Sequence, residues 1–308
     1  MNSTPKPSAI RNRLLPAVLL VVLCLASGCL EFEEQTVTYA YDAKTDTLRI
    51  FQNYHGIFGV DQPDRLSSDE QDQLKSVLDT QRTFFFANWI FEFHREQLEK
   101  TLSQIQTAEG RKEFAAAAES YPKLEALLRL LLDNVRVENG ACYFDSKRRL
   151  SAVQRVTVSR ASKLVAALND WLPYLLRAEA AKEDTSAALR AVYEKAASQG
   201  RPLVSLRGNE VTLRWPLPRE EYDKEFGAQT DGGKSLELFR QRGGRASFAD
   251  NEMIVSLGSP SEAITSLTLP MSKKSYVPNA LEAVKQRATV LEKFDAPAAA
   301  RAFLKVVR

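Results

Sequence analysis

Apolar and polar residues alternate over 36–41, with Val37, Tyr39 and Tyr41 on one side of the chain. That period of two predicts a strand, and a second over 47–54, after the polar loop 42–46, predicts a β-hairpin. The pattern changes at Ser67-Ser68-Asp69-Glu70-Gln71, where Ser67/Glu70 and Ser68/Gln71 have capping-box spacing. A helix is expected from there to about Leu102, through 84–93, the most apolar stretch after the leader; a strand over 84–93 would require that helix to break. Further helices are expected over 111–120 and 122–133, the second with Pro122 in its first turn. Asn139-Gly140 is a hairpin signal, and a two-residue loop there would pair Val137 with Cys142 and Val135 with Phe144. A third strand over 150–158 completes a meander. Helices over 161–181 and 184–199 follow, the first with Leu164, Leu168, Trp171, Leu172, Leu175 and Leu176 on one side and Pro173 inside it.

In the last third, Gly208-Asn209 and Asp250-Asn251 mark the turns of hairpins over 203–215 and 245–257. A strand is expected over 263–269 and helices over 218–226, 233–242, 278–294 and 297–306. Hairpins and helices alternate in blocks without a strand–helix–strand period. The expected class is therefore α+β, helix-rich, with antiparallel hairpins and meanders. The chain divides into a leader 1–28, an anchor and hairpin 29–66, a helical segment with inserted meander 67–200, and an α+β part 201–308. Residues 29–308 are also of a size to form one domain.

The leader changes the picture of charge and location. Lys6, Arg11 and Arg13 precede an apolar run of 13 residues, 14–26, and then Ser27-Gly28-Cys29. A basic start, a short apolar run and small residues before a cut mark a secretory signal. The run is shorter than the ~20 residues of a bilayer-spanning helix. Leu25-Ala26-Ser27-Gly28-Cys29 resembles the lipobox of bacterial lipoproteins, with Ala26 where that family most often has Leu; the resemblance covers about the first 30 residues. It implies cleavage after Gly28, a diacylglyceryl thioether on Cys29, usually a third acyl chain on the new amino group, and attachment to a cell-envelope membrane. Leu30 rather than Asp after the cysteine implies, by the same resemblance, the outer membrane. Two or three acyl chains anchor a protein stably, each buried CH₂ adding ~0.8 kcal/mol.

Of 42 basic and 39 acidic residues, the leader holds three basic and no acidic ones, leaving 39 of each. A balanced mature chain lacks the basic excess that phosphate neutralisation requires, so no nucleic-acid partner is expected. Of three cysteines, Cys24 leaves with the leader and Cys29 would carry lipid. Cys142 is then expected as a buried apolar residue without a disulfide partner.

Candidate chemistry is sparse. The two histidines are His55 and His94; neither has a second His one turn away, and no metal or cofactor is expected. His55, placed in a Gly-shaped loop after the second strand, is a candidate contact. Ser120-Tyr121-Pro122-Lys123 has the Ser-x-x-Lys spacing of penicillin-binding proteins, but their Lys-Thr-Gly partner is missing, so Ser120 reads as a helix cap. The acidic clusters 69–72 and 220–225 suit helix starts. Lys147-Arg148-Arg149 is expected to be a solvated turn. The apolar residues of 84–93, with Phe85, Phe86, Trp89 and Phe93 as candidate contacts, occupy most of a helix circumference, which suits a central core helix, or else contact with a partner protein or acyl chain. These features favour a membrane-anchored binding or structural domain without a catalytic site. The alternatives are a carrier or sensor of a hydrophobic ligand, and an envelope hydrolase using carboxylate or Ser chemistry.

Overall fold

The computed structural model describes residues 30–79, 82–84, 92–113, 118–183, 185–226 and 231–305. Its class is α+β, with antiparallel sheets and numerous helices. The first hairpin is longer than the alternation predicts: β1 (Leu30–Asp42) and β2 (Thr47–Gly59) pair from Leu30↔Gly59 to Asp42↔Thr47. Each adds β-branched or aromatic residues beyond the predicted ends, and Asp42 fastens the turn by accepting from Lys44 N and Thr45 Oγ1. These strands join β5 (Val135–Phe144), β6 (Leu150–Ser159), β11 (Thr265–Pro270) and β12 (Val290–Leu291) in a sheet ordered β11-β1-β2-β6-β5-β12. Among the described strands of this sheet, only β12 runs parallel to its neighbour. The sheet takes strands from 29–66, 67–200 and 201–308 alike, so none of these parts builds its own main core.

One face of this sheet is apolar at the end carrying Val37, Tyr39, Ile50, Val137, Val156 and Val158. The helices α1 (Ser68–Leu78), α2 (Arg95–Ile105), α3 (Ala108–Glu113), α4 (Tyr121–Asn134), α5 (Ala161–Ala180) and α6 (Ala187–Ser198) follow in chain order. From them Leu98, Leu128, Trp171, Leu176 and Tyr193 close that core. The stripes match the predicted helix faces, and Pro173 lies inside α5. A second sheet, β7 (Val204–Arg207), β8 (Glu210–Trp215), β9 (Arg245–Ala249) and β10 (Glu252–Leu257), is ordered β7-β8-β10-β9. Between β8 and β9 lie α7 (Arg219–Phe226) and α8 (Asp231–Gln241). Tyr39 Oη donates to Asn209 O at 2.8 Å and Leu257 O at 2.9 Å, locking the two sheets together. The opposite face of the large sheet receives α10 (Ala296–Phe303), which follows the short α9 (Leu281–Lys285) and covers Ala40, Phe51, Tyr143 and Val153.

Several local expectations hold. Ser67 and Glu70 form both bonds of a capping box. Val204↔Leu213, Leu206↔Val211 and Arg207↔Glu210 pair across Gly208-Asn209. Asp250 and Asn251 turn β9 into β10 with φ of 53° and 63°, the left-handed pair of a type I′ turn.

Others are corrected. Asn139-Gly140 leads into a β-bulge at 140–141 inside β5, and the turn to β6 falls at 145–149. A Cβ on Gly140 would lie 2.5 Å from Val153 Cγ2, so Gly serves close strand contact there. The helix from 67 does not run to 102. It ends at Leu78, and β3 (Arg82–Phe84) pairs with β4 (Glu92–His94) before α2 begins. Residues 85–91, with Phe85, Phe86 and Trp89, lie outside the described residues. The helix expected over 278–294 is a short 3₁₀ turn, α9 and β12. Ser120 is buried at the start of α4 but makes no side-chain cap bond.

Candidate functional site

Gly56, at φ 68°, interrupts the alternation of β2. Before it, His55 faces the side of the sheet opposite the main core; it is a strand residue, paired with Glu34 and Ser151, and not part of a loop after the strand. After it, Ile57 lies with Phe32 and Tyr54 on the other side. The kink lets two environments meet at the Leu30 end of the sheet: a charged cluster outside and an apolar cavity inside.

Arg149 organises the cluster. Its side chain is 10% exposed, not solvated as its place in a basic run suggests. Nε donates to Asp145 Oδ2 at 2.9 Å, Nη2 lies 3.2 Å from Glu34 Oε2, and Nη1 pairs with Glu33. Asp145 Oδ1 accepts from the backbone N–H groups of Lys147 and Arg149, each at 2.9 Å, which fixes the tight β5–β6 turn. Arg148 takes the left-handed conformation of that turn, at φ 59°. Glu33 Oε1 accepts from Tyr276 N at 2.8 Å, and Tyr276 Oη accepts from Leu150 N at 3.2 Å. The guanidinium thus ties β1 to the β5–β6 turn, and Glu33 joins the segment after β11 to them.

Burial alone would raise the carboxyl pKa of Glu33 and Asp145, but the Arg149 and backbone N–H donors outweigh it, and both are lowered. His55 Nδ1 lies 3.8 Å from Asp145 Oδ2, and its Nε2 lies 3.5 Å from Thr36 Oγ1. Burial and then the Arg149 charge lower the His55 pKa, against the pull of Asp145 and Glu34. The site thus favours the neutral imidazole. An acid–base pair needs two groups pushed in opposite directions. Here both carboxylates are pushed down and held by the same arginine, an arrangement suited to clasping strands. Among the described residues no three His, Cys, Asp or Glu side chains are grouped to hold a metal ion.

Inside the sheet at the same end, Leu30, Phe32, Ile57, Leu74, Phe84 and Cys142 line a cavity of about 50 Å³. Small-molecule pockets usually have ~300–1,000 Å³. Cys142 is buried there without a disulfide, and burial pushes its thiol up to about 11, which keeps it protonated and unreactive. A belt of buried amides separates this cavity from the main core. Gln35 Nε2 donates to Phe84 O at 2.6 Å, Gln52 Nε2 to Thr83 Oγ1 at 2.9 Å, and Gln154 Nε2 to Arg82 O at 3.2 Å. The sheet thus docks β3 through side chains, which is why the chain leaves its helical course after Leu78.

Of the predicted contact residues, Phe93 is buried in the main core and His55 lies half-buried in the charged cluster. They are not brought together. Phe85, Phe86 and Trp89 lie outside the described residues, as does Cys29. Arg149, Asp145 and the glutamine belt were not legible as a site. Their one signal was three polar residues, Gln35, Gln52 and Gln154, at inward positions of apolar strands. No family model, no curated protein and no solved structure matches this chain.

Proposed function

We propose that the protein is a lipoprotein of the cell envelope, anchored by acyl chains on Cys29, whose α+β domain acts by binding or as a structural element rather than by catalysis. The observation that carries this reading is Leu30. The residue next to the proposed modified cysteine already belongs to β1; its side chain is 4% exposed and its N–H donates to Gln73 Oε1 at 2.6 Å. The charged cluster adds support for a non-catalytic role, since its carboxylates are engaged in holding strands. Among the described residues no helix is long and apolar enough to cross a membrane, so under this reading attachment falls to the acyl chains. Leu30 after the cysteine favours the outer membrane.

Labelled palmitate fed to cells producing wild type or Cys29→Ala tests the anchor. Label in wild type alone, with pelleting in the membrane fraction, is the expected result. An unlabelled wild-type protein would remove the lipoprotein assignment and leave the domain's role to be sought without a membrane.

A further inference from the structure

On the face of the large sheet that carries α10, paired residues of neighbouring strands stand side by side. One row across the sheet is Ala40, Arg49, Thr157 and Arg136; the next holds Phe51, Arg155 and Glu138. Arg49 and Arg155 are therefore diagonal neighbours on adjacent strands, with the Thr157 hydroxyl beside them and the exposed Arg136 guanidinium at the edge. Arg49 Nη1 and Arg155 Nε are buried and donate to no acceptor among the described residues. Buried charged donors without acceptors are costly, and native structures rarely leave two together. The Asp42 carboxylate is near enough for its charge to act on Arg49, but no nearby acid accepts a hydrogen bond from these two nitrogens. Glu138, opposite Arg155, is 2.7 Å from Arg136 Nη2, and Asp42 accepts from Lys44 N and Thr45 Oγ1 of its own turn. Phe303 of α10 lies against Arg155, with its ring centroid 6.0 Å from the guanidinium carbon, which helps hold that side chain in place.

We propose that Arg49 and Arg155, with Thr157, form a binding site for an oxyanion, of the phosphate type. A planar fork of N–H donors matches phosphate oxygens two at a time, and two forks on adjacent strands would engage several oxygens of one tetrahedral anion. Arg136, released from Glu138, can close over it from the solvent side. The site lies ten residues along β1 from Leu30, about 33 Å at strand rise, and does not depend on the Cys29 anchor.

The test is calorimetric titration of inorganic phosphate into the full chain carrying Cys29→Ala, at low salt. Saturable binding is expected, weakened at least tenfold by Arg155→Gln and by Arg49→Gln, and strengthened by Glu138→Gln, which removes the competing carboxylate. Arg155→Lys and Arg49→Lys keep the charge but lose the fork, so they serve as the deciding variants if a Gln variant fails to fold; each should weaken binding severalfold with an unchanged near-UV spectrum. Vesicles of phosphatidylglycerol separate two sources of the anion. Arginine-dependent binding to vesicles, competed by free phosphate, would identify a lipid headgroup; phosphate binding without vesicle binding would identify a soluble ligand. No saturable phosphate binding by the wild-type arginines, or binding equal in the folded Gln and Lys variants, would overturn the site.

Discussion

Arg149 carries one positive charge against three carboxylates, Glu33, Glu34 and Asp145. Removing it would leave those charges close together and partly buried. Breaking a buried pair costs ~3–5 kcal/mol, and Glu34, at 36% exposure, is screened by water. Arg149→Met should therefore destabilise by roughly 3 kcal/mol, the low end of that range, measured by urea unfolding; a change below ~0.5 kcal/mol, typical of a surface site, would show that the cluster is not a clasp. The same residues set an acid response. His55 sits among Glu34 of β1 and Asp145, Lys147 and Arg149 of the turn, with its pKa lowered from 6.5; His94, near Arg82 and Glu96, is lowered too. The unfolded chain then takes up these protons first as pH falls, so stability is complete above 6.5 and declines below it. Glu33 and Asp145, lowered from 4.5 and 3.8, add a second loss in the acid range. Urea midpoints should thus begin to fall below pH 6.5, and His55→Gln should flatten part of that first decline. A wild-type midpoint constant from pH 7 to 5 would contradict it.

At the scale of elements, what could be read from the sequence was local. Gly208, Asp250 and Asn251 readily take the left-handed backbone that tight turns use, and both turns lie where their residues indicate. The Ser67/Glu70 box is a contact within one helical turn and is present. Asn139-Gly140 carries the same local signal and gives a bulge, because Val153 presses on Gly140 and Gln154 Nε2 donates to Asn139 Oδ1 at 2.9 Å. That preference is set by β6, a strand the dipeptide does not know about. The end of α1 is likewise decided from a distance: Gln35, Gln52 and Gln154 take up the hydroxyl and carbonyl groups of 82–84, so the amides of three strands override helical periodicity. β12 has two residues and exists through its parallel pairing with Cys142 and Tyr143, which no pattern within 278–294 reveals. The charged cluster was hidden for the same reason. Arg149 reads as one of three consecutive basic residues, and only its 116-residue separation from Glu33 in sequence, closed by the sheet, makes it a buried partner. The sequence places His55 in a Gly-shaped loop, but Gly56 kinks a strand there rather than opening a loop.

At the scale of the whole molecule, an anchor on Cys29 would act on the large sheet through Leu30. Leu30 is held by Gly59 across the hairpin, by Gln73 through its N–H, and by Leu66 and Leu74 in a small core. A residue joined to it by one peptide bond lies within ~3.8 Å between Cα atoms, so acyl chains on Cys29 would leave the domain no slack. The loop after β2 would then rest among the lipid headgroups, while the Asp42–Thr47 turn would stand about 40 Å away along the 13 residues of β1. A fluorophore on Arg65→Cys or on Lys44→Cys, each in a Cys142→Ser background, can measure this with the acylated protein in vesicles carrying a headgroup quencher. Strong quenching is expected at 65 and little at 44. Twelve Gly/Ser residues inserted between Cys29 and Leu30 should bring the two signals together, because such a linker is a flexible coil of ~20 Å root-mean-square length. Equal quenching at both positions without the insertion would mean that the domain lies on its side, with the sheet along the membrane rather than standing on its Leu30 end.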